Sequence, residues 1–181
     1  MLGLFGKKKV DVDKLSNILL NFMVKFADQA YPDMEEIIKK SQEFASVPEI
    51  DSEEGKNHFL IICIVGNMST ASLFLSASVH EKLKEKTTQK AANLFDIEKD
   101  ELSQVLKDYK QFMKRVNHPS KNTIYAMSKG IFHKLNLNQF QEEYFKEQNA
   151  PNPMFQKRID EVMTQSIFNW ETFLNKHKIS E

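Results

Sequence analysis

Apolar residues recur at steps of three and four along almost the whole chain, the spacing that lines one face of an α-helix. After Asp11 and Asp13, either of which suits a helix cap, Leu15, Ile18, Leu19, Phe22, Met23 and Phe26 make the first such face. Tyr31-Pro32-Asp33 predicts a break, and Met34, Ile37, Ile38 and Phe44 belong to a short second helix. A loop rich in turn residues, 46–54 with Pro48, follows.

The next helical segment is expected over about 53–87. Asp96 then precedes an amphipathic helix whose apolar side carries Leu102, Val105, Leu106, Tyr109, Phe112, Met113 and Val116. Lys99, Lys107, Lys110 and Lys114 form its charged side. Asn117-His118-Pro119-Ser120 ends it. Ser120 caps a helix bearing Ile124, Met127, Ile131, Phe132 and Leu135, and Asn138 caps a short one bearing Phe140, Tyr144 and Phe145. Asn149-Ala-Pro-Asn-Pro153 is the clearest punctuation, with Asn152 as N-cap and Pro153 at the first helical position. The last helix then runs nearly to the end, its stripe of Phe155, Ile159, Val162, Met163, Ile167, Trp170 and Leu174 belonging to the core.

No alternating strand, internal repeat or low-complexity linker interrupts this pattern. The expected fold is all-α: residues 1–10 form a flexible tail, and 11–181 a single domain of about seven helices around an apolar central helix.

That central helix holds 21 uncharged residues, 59–79, between His58 and His80. The length suffices to cross a bilayer, so a membrane span at 59–79 is one alternative. Asn67, Ser69 and Thr70 at its centre argue for a buried helix wrapped by others instead. Ser69, Ser72, Ser76 and His80, spaced three and four apart, fall on one side of it and are the candidate ligand-binding residues. Packing, with the hydroxyls bonded back to the preceding turn, is the competing account of that seam.

Composition changes the picture mainly by exclusion. The 25 basic residues match 25 acidic ones, and Arg115 and Arg158 are the only arginines, so a nucleic-acid partner is not expected. Cys63 is the single cysteine and sits in an apolar run, which suits a buried side chain and a cytoplasmic protein. Residues 1–9 have their lysines after the apolar stretch, the wrong order for a secretory signal. A contact of Leu2, Leu4, Phe5 and the lysines with a membrane surface is the weaker alternative to a frayed tail.

Candidate chemistry is sparse. No two of His58, His80, His118, His133 and His177 lie within a helical turn of each other, so no metal site is predicted. The five glycines are too scattered for a phosphate loop, no nucleophile elbow exists, and no cofactor is implied. Catalysis is not expected. The leading expectation is a helical protein acting on a protein partner as adaptor, chaperone-like factor or inhibitor, with a homodimer also open. The alternative is a carrier or sensor of an apolar small ligand between helices, suggested by 14 Phe, 8 Met and the serine seam. A cavity of about 300 Å³ or more beside Ser72 and Ser76 would favour the carrier. A solid core with an exposed apolar patch would favour the adaptor.

Overall fold

The computed structural model describes residues 6–180. Among them are eight α-helices, one 3-10 turn and two short strands, so the all-α architecture is as the periodicity requires.

Helix α1, Val12–Lys39, is capped by Asp11, whose carboxylate accepts from the Lys14 amide at 2.7 Å. It is a single helix that passes through Pro32, where the sequence predicts a break. The reason is the stripe. Leu15, Leu19, Met23 and Ala27 lead into Tyr31, Met34 and Ile38 without interruption, and all are buried. Burying Met34 and Ile38 is worth about 1.5–3 kcal/mol each, which offsets the roughly 3 kcal/mol cost of an internal proline. Phe44 lies beyond this helix and bridges to Gln141.

Helix α2, Ser52–Ala71, starts at Asp51, whose carboxylate accepts from the Glu53 and Glu54 amides. It is the apolar central helix, but it is shorter than the 53–87 predicted. Ser69, Thr70 and Ser72 turn their hydroxyls onto the carbonyls of Val65, Gly66 and Ser69, competing with the next helical turn. Ser76 then caps a new helix, α3, Ala77–Phe95. The uncharged stretch 59–79 is therefore split by a turn at 72–76. No helix among the described residues is long and apolar enough to cross a membrane, and the span at 59–79 is withdrawn.

Asp96, which precedes the amphipathic helix as the sequence has it, is also the residue that closes α3. It adopts the left-handed conformation (φ 53°), and the Ile97 amide bonds back to Ala92. Asn136 and Asn149 do the same after later helices. In a chain with five glycines, Asp and Asn take the left-handed positions that glycine usually fills. Helix α4, Lys99–Val116, follows with Glu98 at its cap, and α5, Thr123–Lys134, is capped by Asn122 rather than Ser120. After a 3-10 turn, Leu137–Phe140, comes α6, Glu143–Gln148, with Glu142 rather than Asn138 at its cap. Buried Gln141 joins these pieces, donating to Asn138 and the Ala150 carbonyl and accepting from the Asn152 amide.

Helix α7, Pro153–Gln165, begins at Asn152 and Pro153 as expected. The predicted single C-terminal helix is broken, however. The chain turns at 166–169, and Asn169 caps α8, Trp170–Lys176, by accepting from the Thr172 amide at 2.9 Å. The break sits on Asn67 of α2. The Asn67 amide donates to the Cys63 and Ser166 carbonyls at 2.9 and 2.8 Å and accepts from the Phe168 amide at 2.8 Å. A buried polar side chain near the end of the most apolar helix is satisfied by its own helix and by the backbone of the turn it holds.

Past α8 the chain becomes strand β2, His177–Ser180, which pairs in parallel with β1, Lys8–Asp11. Residues 8–10, assigned to the tail by the sequence, are thus paired, and Val10 is buried. Four residues of a basic run gave too little alternation to read as a strand. Residues 1–5, with Leu2, Leu4 and Phe5, lie outside the described residues.

Two glycines in α2 permit close approach. A Cβ at Gly66 would lie 2.3 Å from the Met127 sulfur of α5, and one at Gly55 would lie 1.9 Å from the Tyr31 hydroxyl of α1. Tyr31 is fixed by burial, so Gly55→Ala is expected to cost about 1–3 kcal/mol in denaturant titration. Tyr31→Phe removes the clashing atom and should recover part of that loss in the double variant. Additive effects would contradict this contact.

Trp170 is 1% exposed, against Phe168 and Phe173. Its native emission should be blue-shifted, and Trp170→Ala should cost about 3–5 kcal/mol. Red native emission with a near-neutral substitution would contradict the docking of α8.

Candidate functional site

The side of helix α2 that faces α3 and α4 carries Ile64, Val65, Met68 and Ser69, of which Met68 and Ser69 are half-buried and the other two buried. Helices α3 and α4 flank that side and form a cleft of about 530 Å³. Its floor is apolar, from Ile64, Val65 and Met68 of α2 and Leu106 of α4. Helix α3 contributes His80, Lys84 and Thr88, spaced four apart on one face, with Glu81 beside them. Helix α4 contributes Asp100, Ser103, Gln104, Lys107 and Lys110 by the same periodicity.

The rim is partly neutralised. Lys84 pairs with Glu81 at 3.3 Å. The His80 imidazole lies with Nδ1 3.7 Å from Glu81, while its Nε2 donates to the Met68 carbonyl at 2.9 Å. That bond pins α3 to the end of α2 across the turn and fixes which nitrogen carries the proton. Lys107 and Lys110 have no hydrogen bond or ion pair among the described residues.

The seam predicted from sequence is divided by this geometry. Ser69 and His80 line the cleft. Ser72 is exposed and bonded to its own turn, and Ser76 caps α3 beside a shallow depression of about 280 Å³ with Phe74 and Leu174. The four are not on one helix face, because the helix they were placed on ends at Ala71. Lys84, Lys107 and Lys110 were not singled out. The signal for Lys107 and Lys110 is the polar stripe from Asp100 to Lys110, which reads equally as a solvated face, and Lys84 lies outside it on α3.

A second cluster joins α2, α4 and α5. The His58 Nδ1 and the Tyr109 hydroxyl are hydrogen-bonded, His58 Nε2 lies 3.4 Å from Glu54, and the Lys134 ammonium sits 4.1 Å from the centre of the Tyr109 ring. Burial, then Lys134, hold the His58 imidazole below its usual pKa, with Glu54 opposing. Burial pushes the Tyr109 hydroxyl up to about 12. A hydroxyl made harder to ionise and already engaged by a neighbour is a poor nucleophile or base at neutral pH. Cys63 is unsuited for the same reason, since burial pushes its thiol up to about 12.

No group of three or more His, Cys, Asp or Glu among the described residues is arranged to hold a metal ion. No protein-family model, curated protein or solved structure matches this chain. The geometry alone therefore carries the functional argument.

His133 is also held below its usual pKa, by burial and then by Lys129. For both His58 and His133 the unfolded chain takes up the proton first as pH falls below about 6.5. Their contribution to stability is thus complete above that value and is lost on acidification toward the folded pKa. The denaturation midpoint should fall between about pH 7.5 and 5.5, and less steeply in His58→Asn. A midpoint that rises over this range would contradict the burial of these imidazoles.

Proposed function

We propose that this domain is non-catalytic and works by holding a ligand in the cleft between α2, α3 and α4. The observation that carries the reading is the cleft itself. Its volume of about 530 Å³ falls within the range of small-ligand sites, and it combines an apolar floor with a few polar groups at the rim. Two of the four residues in the predicted seam, Ser69 and His80, belong to it. Tyr109 and Cys63, two titratable groups outside the cleft, are shifted away from reactivity.

The adaptor reading keeps an observation of its own. Leu73 is 78% exposed and Phe74 40%, side by side at the turn between α2 and α3. Adjacent exposed apolar side chains at a turn suit contact with another protein.

Protein-observed NMR with a library of small fragments separates the two. Hits are expected to shift the amides of Met68, Ser69, His80 and Leu106. Hits confined to Leu73 and Phe74, or an absence of hits, would overturn the cleft reading.

A further inference from the structure

The charges around the cleft are unevenly placed, and this bears on what it holds. Along α4, Asp100 stands about 10 Å from Lys107 at 1.5 Å per residue, with Lys110 a further turn on. Lys84 is matched by Glu81 at 3.3 Å. Lys107 and Lys110 are the cations at the rim with no partner among the described residues. The cleft thus has an unneutralised cationic end above a floor of Ile64, Val65 and Met68.

Resting on the cleft reading, we infer that the ligand is a monomeric amphipathic anion, with a carboxylate or phosphate head at Lys107 and Lys110 and an apolar tail over Met68 and Leu106, behind which Ile64 and Val65 are buried. A purely apolar ligand would bury the tail but leave both ammonium groups unanswered. A cation would meet them with repulsion. The head remains at the solvent edge, where two lysines lower its energy without full desolvation, and the tail supplies most of the binding energy by leaving water. His80, whose Nε2 is committed to the Met68 carbonyl, holds the wall rather than the head.

The test compares decanoate and decyl phosphate with decanol and decyltrimethylammonium, each kept monomeric, by titration of the full chain followed at the Met68 and Ser69 amides. The anions are expected to bind about fivefold or more tighter than decanol, a gain that falls with added salt. Lys107→Ala/Lys110→Ala, at two exposed positions, should abolish that advantage, bringing the affinity of the anions down to that of decanol measured on the same variant. If decanol and the cation bind the cleft as well as the anions do, the charge assignment is overturned and the cleft reading survives. If no amphiphile moves these amides while fragments do, the amphiphile class is wrong. If neither does, both readings fall. Binding only to vesicles containing anionic lipid, with none to monomeric decanoate, also overturns the proposal.

Discussion

The arrangement of this fold depends on one buried amide. Asn67 stands near the C-terminal end of α2, fully buried, and its three hydrogen bonds reach its own helix and the turn between α7 and α8. Unpaired, such a side chain would cost several kcal/mol in an apolar interior. Paired, it fixes where the C-terminal helix must break. Without that turn, α7 would continue past Gln165, and Phe168, Trp170 and Phe173 could not gather on one another as they do. The direction of α8 in turn delivers His177–Ser180 to the strand beside Lys8–Asp11.

The same helix explains the cleft. Its sides are closed by particular contacts: Gly55 against Tyr31 of α1, Phe59 against Phe26, and Gly66 against Met127 of α5. The side left open is the one facing α3 and α4. The turn at 72–76 sends α3 back across that opening, and the bond from His80 to the Met68 carbonyl holds it there. The cleft is what remains when one apolar helix is wrapped incompletely.

The helices were legible where a single periodic face decided them, as in α4, α5 and the start of α7 at Asn152-Pro153. They were misread where two local rules compete. Pro32 reads as a stop, but burial of Met34 and Ile38 carries α1 through it. The end of α3 at Asp96 had no glycine to mark it, and there a short polar side chain tolerates the left-handed conformation. The breaks at 72–76 and 166–169 contain no proline or glycine. Their signals were Ser76 and Asn169, cap residues inside uninterrupted apolar stripes, and only the long-range partner Asn67 makes the second break necessary. Half of the seam reached the cleft for a related reason: Ser69 precedes the turn and His80 follows it. The lysines opposite stayed hidden because a solvated face and a cleft rim share one pattern in sequence.

Amide hydrogen exchange at Phe168 reads out whether Asn67 holds the Ser166–Phe168 turn. Phe168 precedes α8, so its amide has no helical partner of its own, and its protection comes from the Asn67 side chain. In the native protein this amide should exchange about as slowly as those inside α7. In Asn67→Ala it should exchange at least about 30-fold faster, as follows from a loss of about 2 kcal/mol on leaving buried backbone groups unpartnered. Fast exchange at Phe168 in the native protein, or undiminished protection in the variant, would contradict the account.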